Sequence, residues 1–330
     1  MSLSSKQPPD LVPSPVNDIS QLRWDQATFL GRLNHFSRIT DPRLLLKSRR
    51  DVGAAQHLYH LAKEGHVPRG TTQTQLYHAQ TLYHSAVHPD SDGIMHPMGR
   101  MSAQVPFGMV ITGILLALYK TTPQVMFAQF INQTFNAFVN YTNRNAKSQT
   151  TNQQIGISYV GAMTGAVGVS VIANKLVKGA PPLVGRFVPF LAVATANCIN
   201  IPMMRQGEIS NGVIVLDKDG HQLGESKKAA AKGITQVCLS RITMAVPGML
   251  LSPVIMERLE RYKFFRRGLV FSTGIQTLLC GISLIVMVPV GCALFPQTSS
   301  IQVANLEKPL RDKIQHSSPS TKVVYFNKGL

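Results

Sequence analysis

The chain has 330 residues, of which 44% are hydrophobic and 15% are charged, and its formal net charge is +17. This charge is compatible with nucleic-acid binding, but long uncharged apolar stretches make a basic membrane protein the simpler interpretation, and we expect no nucleic-acid partner. The sequence contains no phosphate-binding glycine loop, no nucleophile elbow and no carboxylate pair in an apolar stretch. We therefore expect neither an enzyme nor a cofactor.

The first 101 residues are polar and predict a helical region outside the membrane. A short helix is predicted from Asp25 to Phe36, a longer one from Asp41-Pro42 to about Lys63, and a third from about Thr72 to Ala86. No apolar segment of a secretory signal precedes residue 102, and residues 1–20 lack the arginines of a mitochondrial presequence. We therefore expect internal targeting, without a cleavable presequence.

Eight of the ten histidines lie in this polar region, which raises the question of a metal site. His57 and His60 are three residues apart on a predicted helix, but no HExxH motif, CxxC motif or carboxylate cluster accompanies them, so we expect no metal site. The four cysteines lie in apolar stretches without CxxC spacing, and we interpret them as buried small hydrophobic residues. They are Cys198, Cys238, Cys280 and Cys292.

The motif His88-Pro89-Asp90-Ser91 lies near the end of the polar region. It predicts a turn, because proline fixes φ and the side chain of Asp or Ser can bond to the following backbone. The alternative is a gate at the mouth of a membrane pathway, with Asp90 paired to an arginine of a loop. The turn is the preferred interpretation.

Five apolar stretches follow, and each is long enough to cross about 30 Å of hydrocarbon as a helix. Only one charged residue, Arg241, lies inside them. The sequence therefore predicts an all-α, multi-span membrane protein, with a transmembrane bundle over residues 102–295 and a C-terminal tail over residues 296–330. The stretches are Ser102 to Tyr119, Ile155 to Ala173, Phe187 to Met204, Gly233 to Met256 and Leu269 to Phe295.

A further segment, Gln124 to Tyr141, is amphipathic, because its amides recur at helical spacing and line one face of a helix. We expect it to lie flat or to line a cavity rather than to span the membrane in full. Polar groups at membrane depth are costly, so Asn132, Asn136 and Asn140 are candidate substrate-binding residues. The complete set of amides is Gln129, Asn132, Gln133, Asn136 and Asn140.

Two short loops carry an excess of lysine and arginine, Asn174 to Arg186 and Glu257 to Gly268. With five spans, both loops lie on the same side as the N-terminal region, as the positive-inside rule favours, and the two termini lie on opposite sides. Counting Gln124 to Tyr141 as a sixth span would place the N-terminal region opposite to the loops. We favour the five-span arrangement.

The segment Asn197 to Arg205 ends the third span with two amides, Asn197 and Asn200, and with Pro202. A proline within a membrane helix frees a backbone carbonyl, and a broken helix can hold the ammonium and carboxylate groups of a zwitterion. A proline kink that neighbouring helices satisfy is an equally good interpretation.

Arg241 lies inside the fourth span and is followed by Pro247-Gly248 and Pro253. A buried arginine is costly unless it pairs or reaches water, so it should face the protein interior, where its planar fork suits a carboxylate. Snorkelling to the nearer interface is the alternative. In the second span, Gly161 and Gly165 have the spacing that allows close packing of helices within a bundle.

Together these motifs resemble the sideroflexin family, and the similarity runs from about Trp24 to the C-terminus. Ser91 departs from the family, which usually has threonine there, but the hydroxyl is retained. The segments Gly233 to Gln236 and Pro253 to Glu260 are most similar to the second animal paralogue. The motifs that carry the resemblance are His88-Pro89-Asp90, Asn132 to Ala137 with Asn140 to Asn145, Asn197 to Arg205, Ser240-Arg241 with Pro247 to Met249, and Tyr325 to Leu330.

The resemblance implies a carrier of the mitochondrial inner membrane that moves small neutral amino acids, serine first. We expect anionic lipid around it, as the net charge of +17 favours, and its N-terminal region in the matrix. In this interpretation Pro202 and Pro247 are gating or structural elements, and the substrate contacts a polar site near broken helices. Two alternatives stay open: an assembly or scaffold protein of that membrane, and a protein of iron or haem homeostasis. The candidate substrate-binding residues are Asn132, Asn136, Asn140, Asn197, Asn200 and Arg241.

Overall fold

The computed structural model describes residues 11–16, 18–89, 91–118, 120–142, 152–176, 181–259, 261–262, 269–318 and 321–329. The chain divides into two compact units, Met1–Gln104 and Val105–Leu330, which we call the N-terminal unit and the membrane unit. Helices dominate, and several are long and apolar enough to cross a bilayer, so the predicted fold class is confirmed.

The N-terminal unit is built from three α-helices and a small antiparallel sheet. Each helix begins at a hydroxyl side chain that accepts a hydrogen bond from a backbone N–H of the first turn, and these N-caps are Thr28, Ser48 and Thr72. The elements are α1 (Phe29–Ile39), α2 (Arg49–Lys63), α3 (Gln73–Ala86), β1 (Leu11–Pro13) and β2 (His66–Pro68).

The second helix begins later than the sequence predicts. Asp41 does cap the following residues, but Pro42–Leu46 forms only a short 3-10 helix. The α-helix starts at Arg49, because Ser48 and Asp51 form a capping box: Ser48 Oγ accepts from Asp51 N at 3.2 Å, and Asp51 Oδ2 accepts from Ser48 N at 2.9 Å. The reciprocal pair of bonds is a stronger start signal than the single cap at Asp41.

The N-terminal unit has its own hydrophobic core. Helices α2 and α3 pack through buried side chains such as Val52, Ala55 and Leu82. A second cluster joins Ile19 and Val67 to the same helices, and Gln80 Nε2 donates to the carbonyl of Ile19 at 2.7 Å. These contacts tie the residues that precede α1 to the helices.

Two half-buried histidines lie among the helices of the N-terminal unit. The rings of His35 and His84 lie 5.9 Å apart, and His84 also packs edge-on against Tyr59. Burial lowers the pKa of each ring from 6.5 to about 4, and for His35 the neighbouring His84 adds to the effect. Both rings are therefore neutral at physiological pH.

We expect the N-terminal unit to lose stability as the pH falls from 6.5 to about 4, because unfolded histidines take up protons in that range while the buried rings do not. Each ring changes the free energy of unfolding by up to about 1.4 kcal/mol per pH unit. Denaturant unfolding followed by the fluorescence of the single tryptophan, Trp24, measures this slope. His84→Phe should reduce the pH dependence of the free energy of unfolding, and the exposed His57→Gln should not. An unchanged pH dependence in His84→Phe would contradict the lowered pKa of His84.

The membrane unit is a bundle of antiparallel helices. One of them is interrupted, since α10 continues through a π-helical turn at Pro247–Leu251 into α11. The helices are α4 (Gln104–Ala117), α5 (Thr122–Thr142), α6 (Asn152–Leu176), α7 (Pro182–Gly185), α8 (Val188–Met204), α9 (Gln206–Asn211), α10 (Lys227–Val246), α11 (Ser252–Leu259) and α12 (Leu269–Ala293).

Three helical segments are long and apolar enough to cross a bilayer, Gly156–Ala173, Lys227–Leu259 and Phe271–Ala293. The apolar helices Met101–Ala117 and Val188–Met204 are shorter. All five predicted spans therefore form apolar helices. Two of them have fewer residues than the roughly 20 that a full crossing by a helix needs.

A small domain, which we call the C-terminal cap, covers one end of the bundle. Its strands form an antiparallel sheet in the order β4-β3-β6-β5, and its core contains Ile314, Val324 and Phe326. The sequence analysis predicted only a tail here, because strands of four or five residues give little periodicity. The elements are β3 (Val213–Leu216), β4 (Gln222–Ser226), β5 (Thr298–Gln302), α13 (Lys308–Ser317) and β6 (Val323–Asn327).

The buried Lys328 joins the cap to the bundle. Its carbonyl accepts from Arg205 Nη1 at 2.8 Å, and its Nζ donates to the carbonyl of Phe295 at 3.1 Å. Arg205 also pairs with Glu208 of α9. The cap therefore lies where α8 ends and α12 ends, and Gly233 near the start of α10 packs against Lys328 as well.

The direction of the helices shows which end of the bundle each connection occupies. Helix α4 is antiparallel to α12, since Gly108 lies beside Leu284 and Gly113 beside Thr277. Helix α4 therefore begins at the capped end. The end of the first basic loop lies at the other end of the bundle, where Arg186 Nη1 donates to the carbonyl of Pro253 in α11 at 3.4 Å.

Helix α5 does not lie flat but runs the length of the bundle. Its Ala128 packs with Leu115 of α4, and its Phe135 stacks on Phe107 with ring centroids 5.6 Å apart, so the two helices are antiparallel. With this extra pass, α4 begins and the C-terminal cap forms at the same end. The five-span arrangement placed the two termini on opposite sides. That expectation is wrong because it did not count α5 as a pass through the bundle.

Small residues bring α6 and α8 together. Ala162 and Ala166 of α6 form a buried cluster with Ala192 and Ala196 of α8. A Cβ atom at Gly165 would clash with Ile199 Cδ1 of α8. The predicted close packing around the α6 glycines is therefore confirmed.

Candidate functional site

The polar face of α5 is buried in the membrane unit. Gln129, Asn132 and Gln133 are 1%, 7% and 1% exposed, respectively. Asn136 Nδ2 donates to Asn132 Oδ1 at 3.3 Å, and Asn132 Nδ2 approaches Gln129 Oε1 at 3.5 Å. The amides thus form a ladder along one face of the helix, which is the side that the sequence spacing predicted.

Gln133 is the exception within this ladder. Its Nε2 atom is buried and has no hydrogen-bond partner among the described residues. A buried amide without a partner costs about 1–3 kcal/mol, so a bundle that served only as an anchor would gain stability by replacing it. Gln133 was part of the predicted amide face, but sequence reasoning did not assign it to the binding site.

A small cavity lies beside the amide ladder. Gln129 of α5 and Ser170 of α6 supply its polar wall, and apolar side chains such as Leu115 and Val188 supply the rest. The space suits about one water molecule and is too small for an amino acid. Any larger solute needs the surrounding helices to move apart.

The second group of predicted site residues lies on α8 and α10. Helices α8 and α10 pack against each other, and Cys198 of α8 lies near Cys238 of α10. Asn197 is the neighbour of Cys198, and Arg241 follows Cys238 by one helical turn. The structure therefore brings the α8 amides and Arg241 to the same region.

Arg241 is half-buried and makes no hydrogen bond or ion pair within the described part of the chain. Its charge is close enough to Cys238 and to Cys292 of α12 to act on both thiols. Its neighbour Ser240 is 5% exposed, and the Ser240 Oγ atom has no partner among the described residues. An unpaired guanidinium beside an unpaired hydroxyl is suited to bind a carboxylate.

The break in the fourth span lies next to this region. Gly248 of the π-helical turn packs against Ser283 of α12, and its carbonyl accepts from Cys280 Sγ at 3.5 Å. Pro247 has no N–H to donate, so the carbonyl of Thr243 lacks its usual helical partner. Pro202 has the same effect on the carbonyl of Cys198 in α8. π-Helical turns occur often at functional sites.

The predicted site residues lie on three helices: Asn132 and Asn136 on α5, Asn197 and Asn200 on α8, and Arg241 on α10. Apolar side chains of α5, α8 and the π-helical turn meet in one hydrophobic cluster, which includes Phe135, Val193 and Met249. That the polar residues form a single site stays a prediction. The side chain of Asn140 lies outside the described residues.

The motif His88-Pro89-Asp90-Ser91 forms a turn in the N-terminal unit. His88 is buried, and its Nδ1 accepts from Ser91 N at 3.3 Å, while Pro89 is exposed and Asp90 lies outside the described residues. Sequence reasoning missed the next residue, Asp92, whose φ is 52°. Aspartate adopts this left-handed conformation more readily than most residues.

The carboxylate of Asp92 ties this turn to α2 and α3. It accepts from Tyr83 Oη at 2.8 Å and from Gln56 Nε2 at 2.9 Å, and it lies 2.9 Å from His60 Nε2. His60, which sequence reasoning considered as a metal ligand, therefore has a carboxylate partner. The turn has a structural role within the N-terminal unit.

Within the described residues, Asp217, Asp219 and His221 form the single group of three potential metal ligands. They lie in the exposed connection between β3 and β4. Asp217 Oδ1 accepts from His221 N and Asp219 N, both at 2.9 Å, and the bond from His221 lowers the pKa of Asp217. The carboxylate thus organises a tight turn.

Comparison with known proteins identifies relatives over almost the whole chain. The sequence model of the family described as Sideroflexins matches residues 18–330. Sideroflexin-2 of Bos taurus is 53% identical over 315 residues, which cover 95% of this chain and 98% of that protein. Sideroflexin-1 of Homo sapiens is 49% identical over 328 residues, which cover 99% of this chain and 100% of that protein. No solved structure matches the chain significantly.

Proposed function

The chain belongs to the sideroflexin family, and from this premise we propose that it is a transporter of the mitochondrial inner membrane for small neutral amino acids, with serine as the preferred cargo. The proposed mechanism is alternating access at a polar site near broken helices. The observation that carries this proposal is the set of unpaired polar groups inside an apolar bundle, at Gln133, Ser240 and Arg241.

The argument from energy starts with the cost of these groups. Buried polar atoms are normally hydrogen-bonded, and the cost of an unpaired one is highest where no water can replace the partner. Gln133 Nε2 and Ser240 Oγ have no partner among the described residues. A solute that binds between the helices would supply the missing hydrogen bonds.

The chemistry of the groups favours a zwitterion. Arg241 is a cation that suits a carboxylate, and the freed carbonyls of Cys198 and Thr243 are acceptors that suit an ammonium group. The amides of Asn197 and Asn200 can both donate and accept, which suits a small hydroxyl such as that of serine. In this proposal Asn132, Asn136 and Asn140 line the rest of the pathway along α5.

Two features of the bundle support a moving pathway. The cavity beside Gln129 is too small for an amino acid, so passage requires the helices to separate. The π-helical turn at Pro247–Leu251 gives the α10–α11 helix a flexible point beside the polar patch.

Arg241 provides the test of this site. Purified protein in liposomes should take up labelled serine, and Arg241→Ala should lower the uptake about tenfold or more, because a hydrogen-bonded charge pair is lost. Arg258→Ala is the matched control and should retain uptake, because Arg258 is exposed and lies near the C-terminal end of the α10–α11 helix. Thermal melting of each variant shows whether it is folded.

Each failure has a separate meaning. Unchanged uptake by folded Arg241→Ala would remove Arg241 from the site and leave the transporter in place. No uptake by the wild-type protein for any small neutral amino acid would overturn the transporter proposal.

A further inference from the structure

The most exposed large hydrophobic side chain of the described residues lies in the N-terminal unit, outside the proposed transport pathway. Leu46, at the end of the 3-10 helix Pro42–Leu46, is 87% exposed. An isolated exposed leucine is ordinary, but this one is followed directly by Lys47, Arg49 and Arg50. We call residues 42–50 the basic turn.

The cations of the basic turn are available to a partner. Lys47, Arg49 and Arg50 are exposed, and none of the three forms an ion pair or donates a side-chain hydrogen bond within the described chain. The nearby acids are already engaged: Asp41 binds Arg43 at 2.6 Å, and Asp51 is held in the capping box of α2. The turn therefore combines one exposed apolar side chain with three free positive charges.

The basic turn is held rigidly by the residues that lead into the first membrane helix. Arg100 is 3% exposed, and its Nη1 donates to the carbonyl of Lys47 at 3.2 Å. The 3-10 helix Pro42–Leu46 also packs against the short turn Met101–Ala103. Helix α4 begins at Gln104, only four residues after Arg100, so few residues separate the contact of the basic turn from the first apolar helix.

An anionic lipid surface fits this combination better than nucleic acid does. Lysine and arginine bind the phosphates of either partner, but a nucleic-acid backbone offers no apolar surface on which to bury Leu46. A bilayer offers both, since phosphates lie at its surface and hydrocarbon lies just beneath them. We propose that the basic turn docks on anionic phospholipid headgroups, with Leu46 inserted at the boundary of the acyl chains.

Tryptophan placed at the tip of the turn tests the docking. Full-length Leu46→Trp is reconstituted in vesicles with brominated acyl chains, which quench a tryptophan that reaches them. Glu64→Trp is the matched control, because Glu64 is also exposed but lies beyond the far end of α2, about 22 Å from Arg49. The wild-type protein, with Trp24 as its single tryptophan, gives the baseline.

We expect bromine quenching of Leu46→Trp well above that of Glu64→Trp when the vesicles contain anionic lipid. Each cation near an anionic surface contributes about fivefold to the docking equilibrium, so loss of three cations alone weakens it about a hundredfold. Adding Lys47→Glu, Arg49→Glu and Arg50→Glu also introduces repulsion, so it should weaken docking by more than this and remove the extra quenching. Folding is checked by the melting curve, which reversal of three exposed charges should leave almost unchanged.

Three results would overturn the proposal. The first is equal quenching of Leu46→Trp and Glu64→Trp. The second is quenching of Leu46→Trp that is the same in neutral and in anionic vesicles, which would remove the role of the headgroup charge. The third is a Leu46→Trp side chain that the brominated lipid does not quench, while an added oligonucleotide protects it from a water-soluble quencher. That result would indicate nucleic acid as the partner.

Discussion

Gln133→Met is expected to make the protein more stable and less active at the same time. Gln133 is 1% exposed and its Nε2 atom has no partner among the described residues, so methionine, which is similar in size, removes an unsatisfied donor. The free energy of unfolding should rise by about 1–3 kcal/mol. Serine uptake should fall about two- to tenfold, as expected when one hydrogen bond to the solute is lost.

The opposite signs of the two effects make this prediction specific. Thermal melting in detergent measures the stability, and uptake in liposomes measures the activity. Gln153→Met, the same change at an exposed position near the start of α6, is the control and should alter neither quantity. A destabilised Gln133→Met with full uptake would show that this amide has a structural partner and does not face the solute.

Gly113→Ala is expected to destabilise the bundle by about 1–3 kcal/mol or more. Gly113 of α4 is buried against α12, and an added Cβ would overlap Thr277 Oγ1 and lie only 3.0 Å from Thr277 Cβ. Threonine is branched at Cβ and cannot rotate away from the contact, so α4 and α12 must move apart. The melting temperature should fall clearly below that of the wild type.

A matched glycine on the partner helix isolates the cause of this effect. Gly274 of α12 has open space where a Cβ would lie, so Gly274→Ala should be neutral or slightly stabilising, as alanine favours helix by up to about 1 kcal/mol. Thr277→Ala should partly rescue Gly113→Ala, because it removes two of the three overlapping atoms. Equal melting temperatures for Gly113→Ala and Gly274→Ala would contradict the packing argument.

The apolar helices could be predicted because their signal is local. Twenty uncharged apolar residues specify a buried or membrane helix from composition alone. The ends of α6, α8, the α10–α11 helix and α12 lie within about six residues of the predicted spans. The polar face of α5 was also evident from the spacing of its amides. Its passage through the bundle was not, because that depends on contacts such as Phe107 with Phe135, which join distant parts of the sequence.

The features that sequence reasoning missed depend on long-range contacts. Strand β3 pairs with β6 more than a hundred residues later, and neither strand is long enough to show a clear alternation. Asp92 follows the motif that was identified, but its role depends on Tyr83, Gln56 and His60 arriving from two helices. The neighbours of the polar face of α5 could not be predicted for the same reason, since a sequence pattern gives the face of a helix but not its neighbour.

The contact between Arg205 and Lys328 has a consequence for how the bundle comes apart. The two residues are 123 positions apart, and α10 and α12 lie between them, so this contact can form only after both helices have been inserted with the correct polarity. Interactions that close late in folding contribute little to the folding rate and mainly slow the reverse process. We therefore expect the contacts of Lys328 with Arg205 and Phe295 to break early in unfolding. In the folded protein they keep the ends of α8 and α12 together and slow unfolding.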